Sequence, residues 1–185
     1  MVNSVTGVVG FDMPEAKKAA INFYKDGEKG WAARGTALHS VLENLLKGKE
    51  VEDNDLWQEW IDPLLECELF KGCKPLAVEY SVCDARKSLG GQFDFLIETK
   101  EGEIVLGDLK TSSTKRAGKQ REPASEQLGA YKLMVEKHHP TQRIDKCCTV
   151  VLAPSYCRVE KENPEKCVEE WRDKWERFQI TQEDW

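Results

Sequence analysis

Residues 91 to 110, GQFDFLIETKEGEIVLGDLK, constrain the fold of this chain more than any other stretch of its sequence. The runs at 91–99 and 103–110 are rich in β-branched and aromatic residues, and a three-residue turn separates them. Two strands joined by so short a turn pair as an antiparallel hairpin. We therefore predict a sheet built around this hairpin, with an acidic residue on each of its strands.

The hairpin brings three chemically active side chains together. Asp94 lies near the start of the first strand and Asp108 near the end of the second, so antiparallel pairing places both at one end of the sheet. Lys110 follows two residues after Asp108, and strand alternation puts both on one face. Two carboxylates and the main-chain carbonyl of Leu109 suit Mg²⁺, which prefers oxygen ligands. The pattern indicates a metal site that cuts phosphodiesters; a surface hairpin with exposed Asp and Lys is the alternative.

The lysine of this pattern has three possible roles. Lys110 could orient the attacking water, deprotonate it, or steady the pentavalent phosphorane, and the sequence leaves these roles open.

The rest of the chain alternates between helical and strand periodicity. The predicted helices cover residues 13–25, 31–48, 53–69, 122–138 and 164–178, and the predicted strands cover 75–84, 91–99, 103–110 and 146–153. Pro63 is expected to kink or divide the third helix. We predict an α/β (α+β) fold, a mixed β-sheet flanked by helices. It forms a single domain over residues 1–185, with N-terminal helices at 13–69, the catalytic sheet and helix at 75–153, and the C-terminal helix at 164–178.

Composition is that of an ordinary globular domain. Of 185 residues, 40% are hydrophobic and 32% charged. No apolar run approaches the roughly 20 residues of a membrane span, and the N-terminus lacks the features of a secretory signal. We therefore expect an intracellular, cytoplasmic protein without membrane contact.

Seven cysteines are an odd number for a chain without an export signal, so no disulfide framework is expected. Four of them lie between residues 147 and 167, but no C-x₂-C pair is present to bind zinc or an iron-sulfur cluster. We predict no iron-sulfur cluster.

One segment concentrates positive charge in a chain whose net charge is −6. Residues 110 to 121, KTSSTKRAGKQR, contain no acid and directly follow the Asp-Leu-Lys triplet. A solvated loop is the alternative interpretation, but phosphate contacts are needed beside a site that cuts phosphodiesters. The predicted DNA contacts are Lys115, Arg116, Lys119 and Arg121.

Two predicted helices carry further candidates. His39 and Glu43 lie four residues apart and share a helix face. Imidazole can complete a carboxylate metal site and favours Mn²⁺ as well as Mg²⁺, although a half-buried histidine bonded to Glu43 is the alternative. Gln127 and Tyr131 have the same spacing on the helix after the basic run, where they could contact the DNA backbone or support the metal strand.

Taken in order, these motifs resemble the RecB-like branch of the PD-(D/E)XK nuclease superfamily. The motifs are G-x₃-H-x₃-E beginning at Gly35, G-x-x-D ending at Asp94, D-L-K-T-S beginning at Asp108, and Q-x₃-Y ending at Tyr131. The chain is similar in this pattern to CRISPR-adaptation nucleases and the mitochondrial genome maintenance exonuclease. The resemblance implies a restriction-endonuclease-like fold.

The resemblance also implies a role for each motif residue. His39, Asp94 and Asp108 would bind Mg²⁺ or Mn²⁺, and Lys110 would be the catalytic lysine. Many CRISPR-adaptation relatives carry a cysteine before the histidine for an iron-sulfur cluster, and this chain has none before His39. The secondary candidates are Glu79, Glu43, Gln127 and Tyr131.

We therefore predict a Mg²⁺- or Mn²⁺-dependent DNA exonuclease that acts on single-stranded DNA or DNA ends, because no base-reading element is visible. The chain lacks the G-x₄-G-K-[ST] motif of ATP-driven helicases, so it needs a strand end, a single strand or a helicase partner. Such an enzyme would suit phage or mobile-element DNA processing in a bacterial host. The alternatives are a structure-selective endonuclease of the same family, an inactive nucleic-acid-binding module, or a structural partner protein whose acidic 50–68 stretch and C-terminal helix dock on another subunit. A homo-oligomer is also possible.

Overall fold

The computed structural model describes residues 2–183. It contains a six-stranded mixed sheet with helices on both faces. The strands are β1 (Asn3–Ser4), β2 (Lys74–Asp84), β3 (Leu89–Glu98), β4 (Ile104–Thr111), β5 (Lys146–Ala153) and β6 (Tyr156–Glu162). The helices are α1 (Val5–Val9), α2 (Glu15–Phe23), α3 (Trp31–Leu46), α4 (Gln58–Leu65), α5 (Lys115–Lys119), α6 (Ser125–His138) and α7 (Pro164–Glu183). The predicted α+β fold class is confirmed.

Each element predicted from periodicity is present. Among residues 2–183, four further strands and α-helices are also present, and they are β1, α1, α5 and β6. The third predicted helix is shorter than expected: it forms α4, and a 3₁₀ turn at Glu68–Phe70 follows. Pro63 lies inside α4 without dividing it. Proline cannot donate to the carbonyl of Glu59, four residues earlier, and the N–H of Ser155 bonds that carbonyl instead at 2.7 Å.

β3 lies at the centre of the sheet. It pairs antiparallel with β2 and β4, and its first two residues also pair with the short parallel strand β1. β4 then pairs parallel with β5, and β6 returns antiparallel at the edge. Parallel neighbours need a long crossover, which the segment containing α5 and α6 provides.

Two hydrophobic cores lie on opposite faces of the sheet. α1, α6 and α7 cover the face that carries Leu106 and Cys147, whereas α3 and α4 cover the face that carries Val105 and Cys148. Successive strand residues therefore enter different cores, as strand alternation requires. All seven cysteines are free thiols, so packing rather than cross-linking holds the fold together. Within residues 2–183, no helix is both long enough and apolar enough to cross a membrane.

The contact between α6 and α7 requires a glycine. A Cβ on Gly129 would lie 2.0 Å from the carbonyl oxygen of Cys167. We expect Gly129→Ala to lower the free energy of unfolding by roughly 1–3 kcal/mol, measured by urea titration, because the helices must move apart. Gly35→Ala in α3 is the matched control: its Cβ would meet nothing within 4 Å, so no loss is expected. Equal losses in both variants would contradict the close approach.

Candidate active site

The hairpin opens where the two predicted acids lie. The ladder between β3 and β4 ends at the pair Phe95 and Gly107. Asp94 and Asp108 are the next residues, and both are buried. The N–H of Leu109 donates to Oδ2 of Asp94 at 2.5 Å. The main chain of β4 thus fixes the carboxylate of Asp94 beside Asp108.

Glu79 reaches the same place from β2. Its φ of 49° lies in the left-handed region, which a non-glycine residue seldom adopts within a strand. Gln92 donates to Oε2 of Glu79 at 2.5 Å, and Oε1 lies 3.3 Å from Nδ1 of His39. Backbone strain of this kind persists where a site requires it. The unusual conformation of Glu79 is therefore consistent with a functional role for its carboxylate.

His39 completes the cluster from α3. The helix packs on the sheet through Leu38 and Leu42, and this packing places Nδ1 of His39 3.2 Å from Oδ1 of Asp94. One potential ligand atom from each of His39, Glu79 and Asp94 lies within 4.8 Å of the other two. The arrangement brings together a histidine and two carboxylates that are far apart in the sequence.

The charges of this cluster are strongly coupled. Burial lowers the pKa of His39, but the hydrogen bond and charge of Asp94, with the charges of Asp108 and Glu79, outweigh burial and raise the pKa to about 9. Burial raises the pKa of Asp94, and the charge of Asp108 adds to the rise, while His39 opposes it. A positive charge is thus needed among these acids, and a proton on His39 supplies one.

The donor set fits a divalent cation. Carboxylate oxygens are the ligands that Mg²⁺ prefers, and one imidazole is compatible with Mn²⁺ as well. Oδ2 of Asp108 lies 2.8 Å from Nζ of Lys110, but the angles are not those of a hydrogen bond, so this buried oxygen has no hydrogen-bond partner among the described residues. It retains the capacity to accept from a water or to face a cation. The residues that would hold the cation are His39, Glu79 and Asp94. Asp108 lies outside this group, and its role as a ligand stays a prediction.

A chain of side chains positions Lys110. Its Nζ donates to Oε1 of Gln127 at 2.9 Å, and Nε2 of Gln127 donates to the hydroxyl of Tyr131 at 3.0 Å. Burial raises the pKa of Tyr131 to about 12 against the opposing hydrogen bond from Gln127, and the charges of Asp108 and a second acid add to the rise. A Cβ on Gly91 would lie 2.8 Å from the Tyr131 ring, so the glycine of the G-x-x-D motif makes room for this chain.

The sequence matches the family model of the PD-(D/E)XK nuclease superfamily over residues 64–184, which include the β3–β4 hairpin and Glu79. The chain belongs to this superfamily. Membership implies a metal-dependent nuclease. His39 lies before the matched region, so the family match does not cover it. The fold of the nuclease is similar to the crystal structure of SSO0001, with a TM-score of 0.50 and 18% identity over 94% of this chain and 74% of that one. At this identity the likeness shows the fold alone. No curated protein matches the sequence significantly.

A cleft of about 700 Å³ opens beside the cluster in this nuclease. His39, Glu79 and Gln92 line it together with residues of α3. Glu43 also lines the cleft, but its carboxylate pairs with Lys47 at 2.5 Å and lies outside the group of potential ligands. His39 and Glu43 therefore share a helix face, as predicted. The alternative interpretation, a histidine bonded to Glu43, does not fit, because His39 contacts Asp94 and Glu79 instead.

The basic run folds partly into α5 rather than remaining a loop. Oγ1 of Thr114 accepts from the N–H of Ala117 at 3.1 Å and caps this helix. The four basic side chains predicted to contact DNA are all exposed, and they are Lys115, Arg116, Lys119 and Arg121. Their contact with DNA stays a prediction.

Sequence reasoning missed two residues near the cluster. Gln92 holds Glu79 in place, and its sequence signal was its position two residues before Asp94 on the same strand. Arg34 is buried in α3, with Nε 3.4 Å from Oγ1 of Thr111. The signal for Arg34 was an arginine four residues before Leu38, on the apolar side of the predicted helix.

Proposed function

We propose that this PD-(D/E)XK nuclease is a Mg²⁺- or Mn²⁺-dependent DNA exonuclease of the RecB-like branch, which acts on single-stranded DNA or DNA ends. The observation that carries the proposal is the convergence of His39, Glu79 and Asp94 within 4.8 Å, beside the Asp108 and Lys110 contact of 2.8 Å. Both groups lie at the open end of one hairpin. Acidic metal ligands next to a fixed lysine are what phosphodiester hydrolysis requires.

The residues of the chain divide the chemistry among them. His39, Glu79, Asp94 and Asp108 would hold the divalent cation, which supplies Lewis-acid polarisation of the phosphodiester when bound. Lys110 orients the attacking water and presents positive charge to the phosphoryl oxygens as negative charge grows on them. Attack by water at phosphorus breaks one P–O bond of the strand and leaves a phosphate monoester and a hydroxyl.

Gln127 and Tyr131 are positioning residues in this scheme. The bond from Lys110 to Oε1 of Gln127 limits where the ammonium group can lie, and the hydroxyl of Tyr131 fixes the amide of Gln127 in turn. Because Nζ of Lys110 is already held by Gln127, its side chain loses less conformational freedom when the substrate binds.

The exposed basic side chains on and after α5 are proposed to hold the strand by its phosphates. Phosphate contacts carry no base sequence, so they suit a nuclease that accepts any strand it can reach. The sequence has no ATP-driven helicase motif, which is why we propose single strands, strand ends or a helicase partner as the source of substrate. Cytoplasmic processing of phage or mobile-element DNA would supply such ends.

Linear and circular single-stranded DNA distinguish the possible activities. With Mg²⁺ or Mn²⁺, we expect end-labelled linear strands to be shortened progressively and circles to survive, and we expect no cleavage in a chelator. Gel analysis of labelled products measures both. An Asp108→Asn preparation purified in parallel controls for contaminating nucleases. Cleavage of circles would favour the endonuclease alternative, and metal-independent binding without cleavage of any DNA or RNA would favour an inactive binding module.

A further inference from the structure

Arg34 occupies a position in α3 that packing would give to an apolar residue. The buried residues of α3 are Arg34, Leu38, Leu42 and Leu46, which repeat every four residues along one face. Arg34 is only 6% exposed, close to the 5% of Leu46 at the other end of this row. Burying a guanidinium costs free energy unless an anion or several acceptors compensate it. The position therefore favours a compensating partner.

The chain itself supplies little compensation for Arg34. Its hydrogen bond goes from Nε to Oγ1 of Thr111 at 3.4 Å, which is long. Among residues 2–183, no carboxylate lies within salt-bridge distance of Arg34, and neither Nη1 nor Nη2 donates a hydrogen bond or is sealed from solvent. Two strong donors thus point into a place that the described residues leave without an acceptor.

The surroundings of Arg34 are aromatic and positively charged. The guanidinium lies 5.9 Å from the ring centroid of Trp60, and the indole N–H of Trp60 donates to the carbonyl of Ser112 at 2.9 Å. The pKa of Arg34 is lowered from its ordinary value, chiefly by burial and also by the positive charge of Arg121. A cation–π contact offsets only part of the free-energy cost of burying Arg34. The second cation, Arg121, increases that cost. This environment favours an anionic ligand.

We propose that Arg34 is a phosphate-binding site, which holds a phosphate of the nucleic-acid strand next to the one that is cut beside Lys110. The inference rests on the proposed nuclease function. Thr111, which contacts Arg34, directly follows Lys110 on β4, and strand alternation places the two residues on opposite faces. A strand that crosses the end of β4 would therefore meet both side chains. The planar guanidinium binds phosphate oxygens through paired N–H groups, whether the phosphate is an internal diester or a terminal monoester.

Thermal melting in inorganic phosphate tests the site without any cleavage. In a chelator, we expect phosphate to raise the melting temperature of the wild type and to have little effect on Arg34→Met, which keeps the length of the side chain but removes its charge. In phosphate-free buffer, Arg34→Met should melt no lower than the wild type, because it removes an uncompensated cation from an apolar row. Arg172→Met, an exposed change on α7 across the sheet, is the matched control. Equal stabilisation of wild type and Arg34→Met by phosphate would overturn the proposal.

Kinetics on labelled single strands identify the source of the phosphate. We expect Arg34→Met to raise KM for DNA about tenfold to a hundredfold with kcat nearly unchanged, and Arg34→Lys to restore part of the loss. Loss confined to strands with a 5′- or 3′-terminal phosphate assigns a terminal monoester, and equal loss on hydroxyl-ended strands assigns an internal diester. An unchanged KM on every strand would overturn the nucleic-acid assignment. If the wild type cleaves nothing, the proposed function fails, and the melting experiment still decides whether Arg34 binds phosphate.

Discussion

Replacing Lys110 with alanine is expected to reduce the rate of DNA cleavage by about 10³-fold, and Asp108→Asn should have an effect of similar size. The side chain of Lys110 contacts both an acid of the hairpin and the amide of Gln127. Its loss removes the positive charge that would face the phosphoryl group in the transition state. Single-turnover rates at saturating Mn²⁺ measure the chemical step and separate it from strand binding.

Folding controls are needed because both residues are partly or fully buried. Alanine at position 110 leaves the buried Asp108 without its cation, so some loss of thermal stability is expected in chelator. The double variant Lys110→Met with Asp108→Asn removes both charges, and it should fold well and remain inactive. Lys166→Ala on α7, where the side chain is 63% exposed, is expected to behave as the wild type. Cleavage at wild-type rate by either single variant would show that the site is elsewhere.

The local part of this site could be predicted from the sequence, because a hairpin determines its own geometry. The turn closes with the N–H of Thr99 bonded to the carbonyl of Glu103 at 2.8 Å, and Gly102 takes a positive φ of 81°. From that point, alternation along β3 and β4 carries both acids to the open end. The side-chain contacts of Gln127 follow similarly from helical spacing once α6 packs on the sheet.

The part that could not be predicted depends on contacts distant in sequence. Glu79 enters the cluster only because its backbone adopts a left-handed conformation within β2, which no propensity for glutamate indicates. Helical spacing places Arg34 in a helix, but spacing does not show that its neighbours are Thr111 of β4 and Trp60 of α4, with no carboxylate of residues 2–183 within salt-bridge distance. The strand β6 was missed because its polar sequence is that of a sheet edge, and pairing with β5 makes it a strand.

The metal-free protein is expected to lose stability as the pH rises from 6.5 through about 9 because of His39. Its native pKa of about 9 lies above the ordinary value of 6.5, so the native state binds a proton that the unfolded chain releases. The contribution is fully present below pH 6.5 and is lost as the pH passes the native pKa. Its size is roughly 3 kcal/mol at most, given about 1.4 kcal/mol for each tenfold change in proton affinity.

Urea unfolding between pH 6 and pH 9.5 in a chelator measures this contribution. His39→Gln is the matched control, since it keeps a polar side chain in α3 but cannot carry the proton. Buried cysteine thiols such as Cys148, whose pKa burial raises to about 12, also lower the stability of the native state as the pH rises past their ordinary range, and both proteins share that effect. The difference in unfolding free energy between wild type and His39→Gln should therefore shrink as the pH rises. A constant difference would show that His39 carries no extra proton in the native state.

A divalent cation should reverse this dependence, because cation and proton compete for the same acids. His39 must be neutral to act as a ligand, so binding of Mn²⁺ at pH 7 should release close to one proton in the wild type and fewer in His39→Gln. Calorimetry in two buffers of different ionisation enthalpy measures that release. The affinity of the wild type for Mn²⁺ should then rise with pH and level off near pH 9. An affinity that is independent of pH over this range would show that His39 neither binds the cation nor gives up a proton when the cation binds.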